Sequence, residues 1–323
     1  MFTENLYSEP GTVFVFCTSH LMEKPIRVPS RHRMRLPRNA KCEVIEMEKY
    51  LKALLPKTCY LYAVAADGVV GTSKDLKTTK EMEQTEAISC LCLPKQDKLS
   101  FHHFILDNHT SRVDDSGSSV FDASKVSHIP TGEKVGAILM FCDEYCLPEI
   151  SYGLKSHFNE AVLAGGYVDH LLGLNSLHSY NGTEESDDDS ILCVALCGEN
   201  VHVRSVVIKE EVLSRSEVEQ KIKSLKDCHL PEGRSFAFMF ACIGRGNAYY
   251  QEHNVESQVF RKIFPNTPIF GFFGNGEIGF NSLKEYVPKM TDVNNVDRTT
   301  PSTKYLPKLH HAYTTILVLV SIT

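Results

Sequence analysis

The sequence predicts a fold that mixes α-helices with many β-strands. Apolar runs rich in β-branched and aromatic residues recur along the chain, and several segments between them carry apolar residues at helical spacing. Hydrophobic residues make up 42% of the chain and charged residues 23%, which is typical of globular proteins with a sizeable core. At roughly 150 residues per domain, the 323 residues indicate two domains or one domain built from two similar halves.

The apolar runs predict the strands. They lie at residues 12–18, 59–64, 87–93, 101–106, 135–142, 161–166, 191–196, 201–208, 236–242, 269–273 and 311–320. Two neighbouring pairs are separated only by short polar or turn-forming segments, which is typical of hairpins. We therefore predict that strand 87–93 pairs with 101–106, and that strand 191–196 pairs with 201–208.

Helices are predicted between some of these strands. Apolar residues recur at helical spacing over 46–55, 148–158 and 255–264. A further helix is predicted to start at Ser214, because its hydroxyl can cap the first turn while Glu217 reaches back to form a capping box.

A short internal echo relates the two ends of the chain. Residues 55–58 (LPKT) and 264–267 (FPNT) each follow a predicted helix and precede a predicted strand that leads to a turn. Each residue of the first string lies 209 positions before its counterpart in the second, as Pro56 does before Pro265 (265 − 56 = 209). The echo indicates two related halves, or a chance recurrence of a common helix, proline and strand pattern.

Charge and cysteine content narrow the class of protein. Lysine and arginine number 34 against 40 acidic residues, a net charge of −6, so we expect neither nucleic acid nor a membrane as partner. Eleven cysteines, several inside apolar runs, predict reduced thiols in an intracellular protein. The first ten residues lack the pattern of a secretory signal. The apolar run at 315–322 is far shorter than the ~20 residues that span a bilayer, which predicts a buried strand.

One candidate site is the segment from Cys242 to Gly246, where a predicted strand meets a turn. Gly244 and Gly246 permit close approach of a ligand or another chain, Arg245 could supply charge, and Cys242 could be a reactive thiol. The alternative is a tight turn beside a buried structural cysteine.

A second candidate lies in the glycine-rich string over 270–279. Phe273, Asn275 and Gly276 could shape a recognition cleft, with Glu277 as its polar anchor. Equally, the string could be a strand whose glycines admit a packed helix. It matches neither a phosphate-binding loop nor a dinucleotide fingerprint, because the lysine and the full glycine register are missing.

We predict no metal and no cofactor. Cys142 with Cys146, and Cys193 with Cys197, have CxxxC spacing. On a strand, however, the second pair would lie about 13 Å apart, too far for one zinc ion. Adjacent histidines such as His102 and His103 point to opposite faces of a strand, so they cannot bind one ion together.

A basic run lies near the start of the chain. It could be a nuclear-import signal or an acid-binding loop, and the alternative is a mobile solvated loop without either function. Its residues are Arg31, Arg33, Arg35, Arg38 and Lys41.

Longer strings carry a family resemblance. They are AGGYVD at 164–169, FMFACIGRG at 238–246, NVESQVFRKIFPNTPIFGFFGNGEIG at 254–279 and AYTTILVLV at 312–320. These strings resemble the C-terminal domain of the F-box and intracellular signal transduction (FIST) family. RHRMR at 31–35 and LLPKTC at 54–59 resemble the segment that precedes this domain in similar family members.

The resemblance implies an α+β fold, with two FIST-like halves whose mixed, largely antiparallel sheets are flanked by helices. It divides the chain into an N-terminal extension over 1–11, a FIST-like domain over 12–134 and a FIST C-terminal domain over 135–323. Eukaryotic members that resemble this chain carry a helical F-box that binds Skp1, through which they join a ligase with Cul1. Residues 1–11 are too few for this module, so we expect the chain to lack it.

The resemblance also implies a function. Such proteins are substrate receptors of SCF (Skp1, cullin and F-box) ubiquitin ligases in the cytoplasm and nucleus, so we expect a non-catalytic module that binds protein substrates. Bacterial relatives resemble small-ligand sensors, and the alternative is a site that binds an amino-acid-like anion near Arg245 and Glu277. A third hypothesis is an enzyme with Cys242 as nucleophile, which predicts fast alkylation of that thiol.

Overall fold

A computed structural model defines the fold. It describes residues 8–22, 26–27, 44–45, 47–107, 112–113, 119–143, 145–172, 190–283 and 307–323. The predicted basic run from Arg31 to Lys41 and the predicted N-terminal extension up to residue 7 lie outside these residues.

Strands dominate the described part of the chain. The strands are β1 (Pro10–Thr18), β2 (Ile26–Arg27), β3 (Val44–Ile45), β4 (Tyr60–Ala66), β5 (Gly68–Thr72), β6 (Thr79–Glu83), β7 (Ile88–Pro94), β8 (Ser100–Asp107), β9 (Arg112–Val113), β10 (Ser119–Val120), β11 (Val135–Cys142), β12 (Val162–Tyr167), β13 (His170–Leu172), β14 (Ser190–Cys197), β15 (Val201–Ile208), β16 (Ser235–Cys242), β17 (Ile269–Gly274), β18 (Glu277–Gly279), β19 (His310–His311) and β20 (Thr315–Ile322).

The described residues contain fewer helices than strands. The helices are α1 (Ser19–Met22), α2 (Met47–Leu54), α3 (Ala123–Val126), α4 (Pro148–His157), α5 (Arg215–Lys226), α6 (Asn247–Tyr250) and α7 (Val255–Ile263), with a 3-10 turn at Ile243–Arg245. The predicted capping box at the start of α5 is confirmed, because Ser214 and Glu217 bind each other's backbone N–H groups. No helix among the described residues is long and apolar enough to cross a lipid bilayer.

The strands form three mixed sheets and two short ribbons. Sheet 1 has the order β13-β4-β1-β7, sheet 2 the order β19-β18-β12-β11-β14-β8, and sheet 3 the order β15-β20-β16-β17-β5-β6. One pair in each sheet is parallel: β1 with β4, β11 with β12, and β16 with β17. The other pairs in these sheets are antiparallel. The prediction of an α+β fold with mixed, largely antiparallel sheets is confirmed.

Each parallel pair is the core of a repeated unit. In unit 1, α2 connects β1 to β4; in unit 2, α4 connects β11 to β12; in unit 3, α7 connects β16 to β17. Pro56 and Pro265, which carry the sequence echo, follow the helices of units 1 and 3. Unit 2 lies between them in the chain, and Asn159 follows its helix in place of the proline.

The three units exchange strands in a closed cycle. After β4, the chain leaves sheet 1 and β5 pairs with β17 in sheet 3. After β17, it leaves sheet 3 and β18 pairs with β12 in sheet 2. After β12, it leaves sheet 2 and β13 pairs with β4 in sheet 1. Each sheet therefore depends on a strand supplied by another unit, and strands from both sides of residue 134 share sheets 1, 2 and 3. The division into two domains there stays a prediction.

One central core joins the inner faces of the three sheets. The ring of Phe272 lies 6.1 Å from Phe16, 6.1 Å from Phe141 and 5.1 Å from Phe240, between ring centroids. These three partners come from the first parallel strands of units 1, 2 and 3. The outer faces are covered by helices: α2 on sheet 1, α3 and α4 on sheet 2, and α5 and α7 on sheet 3. The site described below lies at one edge of sheet 3.

Both predicted hairpins are wrong. β7 belongs to sheet 1 and β8 to sheet 2, while β14 belongs to sheet 2 and β15 to sheet 3. In each case the short turn carries the chain from one sheet to the next rather than folding it back on itself. The prediction for residues 315–322 is confirmed, since β20 is buried along its whole length.

Candidate functional site

The two predicted motifs meet at one edge of sheet 3. β16 ends at Cys242 and β17 ends at Gly274, and these residues are neighbours in the parallel register. The carboxyl ends of both strands therefore lie at the same edge, which is where open α/β sheets commonly carry their sites. The segment from Gly244 to Gly246 follows β16 at this edge, and the turn at Asn275 follows β17.

Arg245 is buried at this edge, with 1% of its surface exposed. Its Nε donates to Glu256 Oε1 at 2.9 Å. Its Nη1 donates to the backbone oxygens of Lys209 at 2.9 Å and Tyr313 at 3.2 Å, and its Nη2 to that of Val212 at 3.3 Å. Nη2 also donates to the Tyr250 hydroxyl. All five N–H groups of the guanidinium thus have acceptors within the protein.

The carboxylate of Glu256 compensates the buried charge of Arg245. Glu256 lies in the first turn of α7 and is 2% exposed. It also accepts a hydrogen bond of 2.6 Å from the Tyr250 hydroxyl. We call Arg245, Glu256 and Tyr250 the Arg245 clamp. The clamp connects the 3-10 turn to α7 and to the segments around Val212 and Tyr313, so it fixes four parts of the chain to one another.

Glu277 is buried beside the clamp. Its Oε2 accepts hydrogen bonds from the Thr314 backbone N–H at 3.1 Å and from the Thr314 hydroxyl at 2.6 Å. Burial nevertheless raises the pKa of this carboxyl to about 8. Burial, followed by the nearby carboxyl of Glu277, raises the pKa of the Cys242 thiol. A nucleophilic cysteine requires the opposite shift, because the thiolate is the reactive form.

Replacing Glu277 with Gln is expected to change how stability depends on pH. The folded-state pKa of about 8 lies above the ordinary value of 4.5, so between these values the folded state holds a proton that the unfolded state releases. The Glu277 carboxyl therefore makes the wild-type free energy of unfolding fall as pH rises across this window, by up to about 1.4 kcal/mol per pH unit. The variant lacks this contribution and gains stability relative to wild type as pH rises. Urea unfolding of both proteins at several pH values measures the difference.

The control for this prediction is Glu219→Gln. Hydrogen bonds from Lys223 and Lys262 lower the pKa of the partly exposed Glu219 carboxyl to about 2. Its loss should therefore give a difference from wild type that stays flat above about pH 5. A flat difference for Glu277→Gln as well would show that Glu277 titrates normally.

The remaining predicted site residues have mainly packing contacts. A side chain at Gly244 would come within 3.0 Å of the Tyr313 ring, and one at Gly246 would overlap the Glu83 carboxylate, which accepts a hydrogen bond from the backbone of Asn247. Phe273 is buried in the core beneath α7. Gly276 packs against Tyr167 and is buried, whereas Asn275 is exposed. Their assignment to a ligand-binding site stays a prediction.

A cavity of about 270 Å³ opens beside this edge, next to Asn247. Glu81, Glu83 and His253 contribute to its walls. Burial raises the pKa of the Glu81 carboxyl to about 7. The two carboxyl groups give the cavity an acidic character, and Arg245 contributes no free N–H to it. This arrangement does not suit an anionic ligand.

Two exposed apolar side chains at this edge are absent from the sequence predictions. Leu213 is 65% exposed and Tyr313 54% exposed. Leu213 directly follows Val212, and Tyr313 is itself one of the residues whose backbone oxygen binds Arg245. We call Leu213 and Tyr313 the apolar patch. A leucine just before a capping box usually packs against its helix, so the local sequence predicts burial of Leu213 and carries no signal for its exposure.

Comparison with known proteins finds similarity to one domain family and to one named protein. Residues 170–280 match the FIST C domain. F-box only protein 22 from Homo sapiens and from Pongo abelii are each 30% identical over 283 residues, which cover 84% of this chain and 65% of the relative. The chain thus spans just under two thirds of the length of these relatives.

A solved structure of a cyanuric acid hydrolase from A. caulinodans also aligns. The alignment covers 100% of this chain and 93% of the hydrolase chain, with 9% sequence identity and a TM-score of 0.38. A likeness this weak carries no argument about activity. The resemblance predicted from the sequence strings is confirmed by the other two comparisons: residues 170–280 match the FIST C domain, and the chain is similar to F-box only protein 22 over most of its length.

Proposed function

We propose that the chain is a non-catalytic recognition module that binds protein substrates for an SCF-type ubiquitin ligase. The observation that carries the proposal is the 30% identity to F-box only protein 22 over 84% of the chain. Proteins of that kind direct their targets to ubiquitination and proteasomal degradation. The working compartments in this proposal are the cytoplasm and the nucleus. Association with Skp1 and Cul1 is expected for the family through its F-box, and because we expect no F-box here, the proposal for this chain is limited to substrate recognition.

The geometry of the Arg245 clamp supports a recognition role. Protein partners bind best to apolar side chains that are exposed on a rigid support, because little conformational freedom is then lost on binding. Leu213 and Tyr313 meet this requirement, since the backbone beside each is hydrogen-bonded to Arg245. The apolar patch is therefore the proposed contact surface.

A non-catalytic role agrees with the chemistry of this edge. In this class of ligase, a cysteine of the ubiquitin-conjugating enzyme carries the ubiquitin, and the receptor raises the effective concentration of the substrate. The receptor then needs no nucleophile of its own. The raised pKa of the Cys242 thiol fits a protein that performs no cysteine chemistry there.

Changing the apolar patch is expected to weaken substrate capture. We expect Leu213→Gln together with Tyr313→Asn to weaken binding of the proteins that the wild-type chain captures by at least about tenfold. The reason is that exposed apolar anchors dominate such interfaces. Asparagine suits position 313 because the backbone there has a φ of 57°. The assay uses the full chain fused to a generic F-box and assembled with Skp1, Cul1 and a RING subunit. Ubiquitination of the captured proteins is then measured in vitro.

The matched control changes two exposed apolar side chains elsewhere. Ile88 and Tyr145 are 46% and 62% exposed and lie on sheet 1 and after β11. Ile88→Gln with Tyr145→Asn should leave capture and ubiquitination at the wild-type level. Equal ubiquitination by both double variants would contradict the role of the apolar patch as the substrate-contact surface. A wild-type fusion that modifies no more protein than an unrelated domain on the same F-box would reject the function itself. A parallel pull-down of the unfused chain with Skp1 and Cul1 tests direct association.

The sensory alternative has a separate test. A small ligand that binds the folded state raises the thermal midpoint by mass action, so a thermal-shift screen with amino acids and small anions would detect it. The occupied donors of Arg245 and the acidic cavity predict no shift with these compounds. A saturable shift that Glu83→Gln abolishes would favour the sensor instead.

A further inference from the structure

A second cluster of polar side chains lies in sheet 2, away from the clamp. It consists of His102 on β8, Glu133 just before β11, and Cys197 at the end of β14. One nitrogen, one carboxylate oxygen and one sulfur from these residues lie within 4.8 Å of one another. His102 Nε2 and Glu133 Oε2 are 2.7 Å apart. Three different kinds of ligand atom therefore converge on one point.

The register of sheet 2 explains the convergence. His102 lies opposite Ala195 in the antiparallel pair of β8 and β14, and Ser100 lies opposite Cys197. His102 and Cys197 are thus diagonal neighbours on the same face of adjacent strands. Glu133 reaches them because β11 pairs with β14 on its other side, where Val135 lies opposite Cys197. Paired strands hold two of the three ligands, and the third lies two residues before the start of β11.

We propose that His102, Glu133 and Cys197 form a zinc-binding site. Imidazole, carboxylate and thiolate are the ligands that zinc uses in proteins. Tetrahedral binding with these atoms requires ligand separations of roughly 3.2–3.7 Å. The side chains reach this by small rotations within the observed 4.8 Å limit, and the His102 and Glu133 atoms move slightly apart. Three protein ligands leave a fourth position for water or for a group of a partner.

The surroundings of the cluster suit a metal. The Ser100 hydroxyl donates to Glu133 Oε1, so it orients the carboxylate as an outer-sphere partner does. The side chains of His102 and Glu133 are 27% and 23% exposed, which gives an ion a path from solvent, while Cys197 is buried. Binding replaces the thiol proton of Cys197 by the metal and releases that proton to solvent.

The site differs from the metal patterns that the sequence displays. Cys193 is four residues from Cys197 on one strand, and His103 points to the opposite face, where it contacts the Tyr62 hydroxyl at 3.2 Å. The CxxxC pair and the histidine pair therefore each contribute a single ligand. The third ligand comes from a distant part of the chain, so spacing along the sequence could not predict the set.

Metal titration of the full chain tests the proposal. Zinc affinity is measured by competition with a chromophoric chelator, and cobalt serves as a spectroscopic probe. We expect one tight site per chain, and for cobalt a thiolate charge-transfer band together with the visible bands of tetrahedral coordination. Cys197→Ser should abolish the charge-transfer band. His102→Gln and Glu133→Gln should weaken zinc binding by more than about 100-fold, since even outer-sphere changes cost 10- to 100-fold.

Matched controls separate this site from adventitious binding to other thiols and imidazoles. His103→Gln removes the neighbouring histidine on the other face, and Cys228→Ser removes a half-buried cysteine on the segment after α5. Both should retain wild-type affinity and the cobalt spectrum. Circular dichroism confirms the fold of each variant. If Cys197→Ser does not fold, His102→Gln still tests the site, because the His102 side chain is partly exposed and its replacement disturbs the core less. Equal zinc affinity in wild type, His102→Gln and Glu133→Gln would overturn the proposal, as would a cobalt complex without a thiolate band.

Discussion

Replacing Arg245 with alanine is expected to reduce the free energy of unfolding by roughly 3–5 kcal/mol. The change leaves the Glu256 carboxylate buried without its counter-ion, and it removes the donors for three backbone oxygens. An unpaired buried charge is among the most destabilising single changes in a protein. Urea unfolding followed by circular dichroism measures the loss.

Two further variants show where the loss comes from. Arg215 forms an ion pair with Glu252 that is largely exposed, so Arg215→Ala should cost less than about 1 kcal/mol. Combining Arg245→Met with Glu256→Met removes both buried charges and should recover a large part of the stability lost by Arg245→Ala. If Arg245→Ala cost no more than Arg215→Ala, the clamp would not hold the four segments together.

Alanine at Gly271 or Gly165 is expected to prevent folding or to destabilise the protein by more than about 4 kcal/mol. The two glycines occupy the same position in units 3 and 2, opposite Met239 and Met140 in the parallel register. A Cβ would lie 1.9 Å from the Met239 oxygen at Gly271 and 1.8 Å from the Met140 oxygen at Gly165. Their φ angles of 154° and 145° add backbone strain. Soluble yield and thermal unfolding are the measurements.

Variants at two other glycines distinguish the effect of steric overlap from the effect of backbone strain. At Gly132, φ is 88° but no atom lies within 4 Å of an added Cβ, so Gly132→Ala should cost only about 1–2 kcal/mol. At Gly233 there is open space and no such φ, so Gly233→Ala should be close to neutral. If all four variants behaved alike, close approach of the parallel strands would not be the cause.

Local structure could be predicted from the sequence, whereas the pairing of strands could not. Apolar runs gave the positions of β14 and β15 correctly, and the capping residues gave the start of α5. The partners of β14 were not predictable, because it is buried on both faces and has no alternation to show which sheet it joins. A short turn after β14 is then compatible with a hairpin or with a passage to another sheet.

The positions of the two candidate segments were predictable, whereas the contacts of their side chains were not. Two glycine-rich strings marked the edge where Arg245 and Glu277 lie, and the parallel register brings them together. The role of Arg245 depends on the backbone oxygens of Lys209, Val212 and Tyr313, which are distant in sequence and have no side-chain signature. The sequence therefore does not distinguish a buried arginine with internal acceptors from an arginine that binds an anionic ligand.

The position of β20 has a consequence for biosynthesis. It comes after β15 and β16 in chain order and so leaves the ribosome later than both, yet it lies between them in sheet 3. Until residues 315–322 emerge, β15 and β16 each expose an unpaired apolar edge, which favours association with other nascent chains. Sheet 3, and with it the cycle of exchanged strands, can close only after synthesis has passed this point. Nascent chains stalled before β20 should therefore depend on chaperones to stay in solution.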